Sequence, residues 1–329
     1  MSHSAPIIEV AAAIITRPDG RFLLARRPEG KPYPGYWEFP GGKIEKNESP
    51  LAALERELQE ELGIHITLAY PWITRVFTYT HATVRLHFFR VTTWYGEPRS
   101  LENQLLSWQS ANDIKVTPVL PANVQILRAL LLPPVYAITQ ATEIGIDNAL
   151  KNIAHALQQG VRMFQLREKT MAKDRLRLFA REVMALTHQY EAKVLINSDI
   201  ELSRELGADG VHFTASQLTT LTSRPELNWC GASCHNVEEL FWAEQLELDF
   251  VVLGPVLPTL SHPGLSTTLG WRKFAALIRN YSLPVYALGG LYLQDLPASQ
   301  ELGGHGIALM RGITAIDAIS ATAPCNNDK

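Results

Sequence analysis

The 329-residue sequence predicts an α/β protein of two domains, the second a (β/α)8 barrel. Three observations carry this. The length exceeds the size at which a single hydrophobic core usually keeps growing. A Pro133-Pro134 pair interrupts the pattern, because proline lacks the amide proton a helix needs and pushes the residue before it towards extended geometry. Beyond that pair, short apolar runs recur with stretches of helical spacing between most of them, the rhythm of a parallel sheet covered by helices. The boundary is therefore placed at residues 1–132 and 133–329.

In the first domain "IEVAAAIIT" and "RFLLARR" read as strands joined by Pro18-Asp19-Gly20, a hairpin closed by an Asp-Gly turn. One strong helix follows from Pro50 to Leu62. Ser49 is placed to cap it, Pro50 suits its first position, and Gly63 supplies the left-handed residue that ends it. Further strands are expected at "TRVFTYTH" and "VRLHFFRVTTWYG", and "ANVQILRALLL" reads as a closing helix. In the second domain the eight expected strands are "VYAIT", "MFQLREK", "KVLINS", "GVHF", "WCGASC", "FVVLGPV", "PVYALGG" and "GIALMRG". Ligand chemistry would sit at their C-terminal ends.

The formal charge of −3 and the isoelectric point near 6.4 give no basic excess, which argues against a nucleic-acid or polybasic membrane protein and for a small-molecule ligand. Only Cys230, Cys234 and Cys325 occur, too few for a secreted disulfide framework, so a reducing cytoplasm is expected. Cys230 and Cys234 lack neighbouring metal-ligand types and read as buried small apolar residues. No segment approaches the ~20 apolar residues of a membrane span.

The helix from Pro50 concentrates like charge. At roughly 100° per residue, Leu51, Leu54, Leu58 and Leu62 should form one buried stripe, with Glu57, Glu60 and Glu61 together on its flank. Carboxylates at such spacing repel, so a helix kept only for stability would gain by dispersing them. A hard divalent cation, Mg²⁺ or Mn²⁺, reverses that penalty and can be held against a polyphosphate. The plainer reading is a solvated charged face with Arg56 pairing Glu60. Gly41-Gly42, whose backbone can approach a metal or phosphate closely, and Glu48 just before the helix shift the balance to the metal.

Gly42, Glu48, Arg56-Glu57-Leu58, Glu60-Glu61 and Gly63-Ile64 match every fixed position of the Nudix box. With "WEFPGGKIE" and "RELQEELGI", the stretch from about Ile8 to Leu131 resembles the MutT-type 8-oxo-dGTP diphosphatases. The resemblance implies a Nudix α/β/α sandwich and a Mg²⁺-dependent attack of water on an oxidised purine nucleoside triphosphate, releasing monophosphate and diphosphate. It implies metal ligation by Glu57, Glu60, Glu61 and the Gly41 carbonyl, with Arg56 orienting Glu48 and the cluster. For the base it points to Arg27, Phe39 and Asn123. Read on its residues alone, Asn123 is equally a helix N-cap. One departure stands out: the acidic residue that MutT-type proteins carry before a tryptophan is Ser107 here, with Glu102 as a substitute.

"FQLREK", "GADGVHF", "GASCHNVEE", "LGPVLPT" and "ALGG" resemble the thiamine phosphate synthase/TenI family over about Val135 to Ile313. That resemblance implies a TIM barrel with a phosphorylated thiazole or pyrimidine ligand. Arg167 and Lys169 would bind diphosphate, Asn197 matches the family's asparagine, and Gly289, Gly290 and Met310 to Ile313 would offer amides to a phosphate. The synthase pattern also needs acidic Mg²⁺ ligands where this chain has Ser198 and Gln217, and related thiazole tautomerases use a histidine where it has Pro255. The basic position after "GPVLPT" is His262. A degenerate binding or scaffolding barrel is therefore favoured over an active thiamine enzyme.

Overall fold

The computed structural model describes residues 6–259 and 268–315, so His262 and Cys325 lie outside the described residues. The chain forms two compact units, the first running to Leu131 and the second taking up at Leu132.

In the first unit the order is β1 (Ile8–Ile15), β2 (Phe22–Arg26), β3 (Trp37–Glu38), β4 (Gly41–Lys43), α1 (Pro50–Leu62), β5 (His65–Thr78), β6 (Thr83–Tyr95), β7 (Leu105–Gln109) and α2 (Pro121–Ala129). One sheet has the order β4-β1-β6-β5 and the other β3-β2-β7. β1 is apolar on both faces, as a strand covered on both sides must be. Its Ala11, Ala13 and Ile15 pack with Leu54, Leu58 and Leu62 of α1. Its Ala12 and Ile14 pack with Phe22, Phe88 and Ile126 of α2. A helix on each face makes the expected α/β/α layering.

Two local expectations need correcting. The Asp-Gly turn forms, with Gly20 donating to the Arg17 carbonyl, but the ladder stops at the Thr16 and Phe22 bridge, and β1 and β2 then enter different sheets. Leu51 is 38% exposed, whereas Glu61 is only 6% exposed. The helix therefore rests on Ala53, Leu54, Leu58, Glu61 and Leu62, and one of the three glutamates belongs to its buried side.

The second unit alternates β8 (Val135–Ile138), α3 (Ala141–Ile144), α4 (Ile146–Gln158), β9 (Met163–Leu166), α5 (Lys173–His188), β10 (Lys193–Asn197), α6 (Ile200–Leu206), β11 (Gly210–Phe213), α7 (Ala215–Leu218), β12 (Trp229–Cys234), α8 (Val237–Gln245), β13 (Phe250–Leu253), α9 (Gly270–Ile278), β14 (Val285–Leu288), α10 (Leu296–Glu301) and β15 (Gly306–Leu309). The eight strands pair in parallel and close, β15 on β8, each at one of the eight apolar runs the sequence marks. The barrel is filled by rings: Tyr136, Phe250 and Tyr286 stand 5.3 to 5.8 Å apart between centroids. The Tyr286 hydroxyl donates to the Pro133 carbonyl, which satisfies the one polar atom on a fully buried ring. Filling one end this way leaves the C-terminal end of the strands for a ligand.

Candidate functional site

The helix α1 is fixed locally at both ends. Ser49 Oγ accepts from the Ala52 amide, and Gly63 closes the last turn at φ 67°. This holds Arg56 over the β4 strand, where it organises the acids. Its Nε and Nη2 donate to Glu48 at 3.0 Å each, Nη1 donates to Glu57 at 2.8 Å and to Glu60 at 3.5 Å, and Nη2 also reaches the Lys43 carbonyl at 3.0 Å. The guanidinium keeps the Glu48 carboxyl below the usual carboxylate range through these bonds.

Gly41 and Gly42 are required for two different reasons. Gly41 sits at φ 140°, and a Cβ there would fall 2.1 Å from the Ala11 carbonyl oxygen. A Cβ on Gly42 would fall 2.2 Å from the Glu57 carboxylate, so the missing side chain is what lets that carboxylate lie against the strand. Glu61 approaches the same stretch from the buried side, accepting from the Gly41 amide at 3.4 Å and from Gln104 at 3.1 Å. Burial pushes its carboxyl up to about 7, against the opposing pull of Gln104 and Lys31.

The three glutamates are thus divided: Arg56 draws Glu57 and Glu60 to itself while Glu61 faces Gln104. Among the described residues no group of three His, Cys, Asp or Glu side chains stands ready around one metal ion. The donor chemistry nevertheless fits a hard divalent cation. Glu57 and Glu61 abut the same two glycines, Glu60 is 59% exposed and free to swing, and a buried carboxylate that resists ionisation is short of positive charge.

A second group of residues continues from the acids. Lys31 Nζ lies 3.7 Å from Glu61 and 3.3 Å from Glu102, which sets Glu102 beside the buried glutamate. Ser107 instead accepts from Gln109 within its own strand. Arg27 donates to Glu38 and to the Pro32 carbonyl, and burial raises the Glu38 carboxyl. Glu38 and Arg27 both act on Tyr79, whose hydroxyl also meets the Ala122 backbone. Tyr79 stands 5.2 Å from Tyr33 and 5.6 Å from His81 between ring centroids. The sequence reading missed Lys31, Gln104, Tyr33, Tyr79 and His81. The clustered aromatics of "KPYPGYW" and "FTYTH" were the available signal.

Asn123 is 4% exposed in the first turn of α2, whose N-cap is Leu120, so it is not a capping residue. Phe39 is 3% exposed and packs between Phe22 and Phe88, which gives it a place in the core.

In the second unit a cavity of about 640 Å³ opens at the C-terminal ends of the strands, lined by Arg167, Gly289 and Gly290 among others, whereas Lys169 and Asn197 are not lining residues. The charge of Arg167, with some burial, holds Lys169 below the usual lysine range. Asn197 donates to Ser198 Oγ at 2.8 Å. His212 lines the cavity too, but it lies between Tyr136 and Ser233 and burial lowers it to about 3, so it is a neutral core imidazole. Cys234 also lines the cavity with its thiol raised by burial, and His235 is engaged by Glu239 at 2.9 Å. No described helix is long and apolar enough to cross a membrane.

Comparison with known proteins meets this geometry. The NUDIX domain model matches residues 7–130, and the thiamine monophosphate synthase model matches residues 135–313. The CTP pyrophosphohydrolase of Escherichia coli strain K12 is 40% identical over 125 residues, 38% of this chain and 92% of that protein. A putative thiamine-phosphate synthase 2 of Aquifex aeolicus strain VF5 is 36% identical over 179 residues, 54% of this chain and 95% of that protein. A solved MutT structure, from work on Aliivibrio salmonicida and Vibrio cholerae, is 31% identical with a TM-score of 0.34 and covers 38% of this chain and 98% of its own. With one acid-bearing helix over a Gly-Gly strand and one closed parallel barrel, each covered by its own match, the chain belongs to two families: its first unit is a NUDIX domain and its second a thiamine monophosphate synthase family barrel.

Proposed function

We propose that the first unit hydrolyses an oxidised purine nucleoside triphosphate, 8-oxo-dGTP above all, to the monophosphate and diphosphate. The observation that supports this most is the continuity of the site: Glu57 and Glu61 at Gly41-Gly42 lead through Lys31 and Glu38 to Arg27, Tyr79 and the start of α2, where Asn123 lies. A triphosphate at the first end puts its base at the second. When bound, Mg²⁺ or Mn²⁺ held by Glu57, Glu60, Glu61 and the Gly41 carbonyl supplies charge neutralisation to the phosphates and acidifies the attacking water.

The chain's own residues do the rest. Arg56 fixes Glu48 and holds Glu57 beside β4, within reach of the place the cation would take. Lys31 adds a positive charge next to Glu61 and Glu102. Arg27 and Tyr79 flank the base, and the Asn123 amide, which donates and accepts at once, reads an edge on which oxidation at C8 has turned N7 from acceptor to donor.

A second reading is favoured by one finding, the 40% identity to a CTP pyrophosphohydrolase. On that reading the base is cytosine and Glu38 receives its amino group. Diphosphate release measured side by side from 8-oxo-dGTP, dGTP and CTP with Mg²⁺ separates the two. A kcat/KM for 8-oxo-dGTP well above those for dGTP and CTP, with the gap narrowed in Asn123→Ala, supports the first. Preference for CTP abolished in Glu38→Gln replaces it with the second. Activity on none of them removes both. The unit is placed in the cytoplasm with no nucleic-acid or membrane partner, in keeping with its small anionic substrate.

A further inference from the structure

Two cationic side chains of opposite character answer the acids of the first unit. Arg56 donates to Glu48, Glu57, Glu60 and the Lys43 carbonyl, so its planar fork is tied down on several sides. Lys31 is a point charge on a flexible stem. Its Nζ lies 3.3 Å from Glu102 and 3.7 Å from Glu61, and its side chain is 44% exposed. The ammonium therefore bridges a buried acid and an exposed one, from a position that solvent reaches.

Gln104 reports the same demand for positive charge. It is buried and turns its Nε2 to Glu61 at 3.1 Å and to Glu102 at 3.5 Å, which leaves its Oε1 buried without a donor. An unpaired buried acceptor is destabilising, so the two carboxylates, and not the amide oxygen, set this orientation. The loop that carries Lys31 is held independently of its ammonium. Arg27 Nε donates to the Pro32 carbonyl at 2.7 Å, the Gly35 amide donates to the Arg27 carbonyl at 2.9 Å, and Tyr33 packs on Tyr36 and Tyr79. Rotation of the lysine stem is enough to take the charge away from the acids, with this backbone left in place.

We infer that Lys31 is the resident counter-ion of Glu61 and Glu102 in the metal-free chain, and that a divalent cation enters by displacing it. The inference rests on the reading of Glu57, Glu60 and Glu61 as the cation's ligands. A hard cation of twice the charge competes well for carboxylate oxygens. Because Lys31 must first be turned out, the free chain binds such a cation more weakly than its acids alone would. The released ammonium is left beside the phosphates of a bound substrate, which replace the acids as its partner.

The test is Mn²⁺ binding to the full chain without nucleotide, followed by the electron paramagnetic resonance signal of the free ion. Wild type, Lys31→Gln, Lys31→Arg and Glu60→Gln are compared with Lys151→Gln, an exposed lysine of the second unit that controls for net charge, and melting curves in EDTA confirm the fold of each. Lys31→Gln should bind Mn²⁺ about three- to ten-fold more tightly, as loss of one or two partly exposed ion pairs implies. Lys31→Arg should bind as wild type does or more weakly, Lys151→Gln as wild type does, and Glu60→Gln more weakly. Added salt should narrow the gap between wild type and Lys31→Gln, because screening weakens the pairs that the cation must break. If Lys31→Gln binds no more tightly than wild type while Glu60→Gln still weakens binding, the inference is overturned and the cation reading stands. A gain that Lys151→Gln matches is long-range charge and overturns it too. Mn²⁺ binding that Glu60→Gln leaves unchanged, or no binding at all, removes the cation reading and this inference with it. Should Lys31→Gln fail to fold, Lys31→Ala decides between the same outcomes.

Discussion

Adjacent glycines at 41 and 42 should respond to the same substitution in opposite ways. In Gly41→Ala the new methyl meets the Ala11 carbonyl oxygen at 2.1 Å and Ala12 Cα at 2.9 Å, both in the strand that Gly41 pairs with, and the φ of 140° is itself unfavourable for a side chain. Backbone cannot step aside, so β4 must part from β1. Strain of this kind costs about 1–3 kcal/mol before the lost pairing is counted. A total near 3 kcal/mol lowers the melting temperature of the first unit by roughly 10 °C.

In Gly42→Ala the three atoms nearest the methyl all belong to the end of Glu57, at 2.2 to 2.4 Å, and a flexible carboxylate can swing away. What is lost is its 2.8 Å contact with Arg56, between groups 17% and 27% exposed. Such a pair is worth below about 1 kcal/mol, so melting should move by only a few degrees. Activity should not survive so well. Displacing a metal-holding carboxylate from its support is expected to reduce diphosphate release by about 10- to 100-fold or more. Thermal denaturation followed by circular dichroism, with diphosphate release on the same samples, checks both. A Gly41→Ala chain that melts like wild type, or a Gly42→Ala chain of wild-type activity, would refute the reasoning.

Arg56→Lys keeps the charge but loses the fork that holds Glu48, Glu57 and the Lys43 carbonyl together. A fall of about 10- to 100-fold in kcat/KM with little change in melting is expected from kinetics of the purified variant. Acid should move the two units in opposite directions. Glu61 has its folded value raised from 4.5 to about 7, so in the metal-free chain its contribution is full below 4.5 and is lost as pH rises through 7, roughly 3 kcal/mol in all. His212 has its folded value lowered from 6.5 to about 3, so its contribution is present above 6.5 and lost as pH falls towards 3. Metal-free melts of Glu61→Gln and His212→Asn across this range should each flatten one of those slopes. Glu168→Gln leaves its four donors with a neutral, half-mismatched partner; it should destabilise the second unit by about 2–3 kcal/mol in denaturant melts and leave diphosphate release untouched.

Local rules made much of this molecule legible. The ends of α1 follow from Ser49, Pro50 and Gly63 because a cap is decided by its own few residues. The barrel strands follow because a strand buried on both faces reads as an unbroken apolar run. The failures share a cause as well. A 100° period locates a stripe but not its width, so Leu51 was placed inside and Glu61 outside, although the neighbours that bury Glu61, Gln104 among them, come from distant sequence. A turn dipeptide fixes the reversal at Gly20 but not which sheet each strand then joins. The aromatic clusters around Lys31 and Tyr79 mark them for attention, but nothing in their own surroundings in the chain says that they lie between an acidic helix and an asparagine more than forty positions on. Motif positions are legible; the partners that tune them are set by tertiary structure.

The central claim is that the acids from Glu48 to Glu61 act on a phosphoanhydride with a divalent cation. Diphosphate release from 8-oxo-dGTP, followed with and without Mg²⁺ for the wild-type chain and for Glu60→Gln, tests it most directly, because Glu60 is exposed and its amide keeps the fold. Metal-dependent release of diphosphate, abolished in Glu60→Gln at an unchanged melting temperature, is the predicted result. Release that persists in Glu60→Gln, or no cleavage of any nucleoside triphosphate whichever cation is supplied, would contradict it.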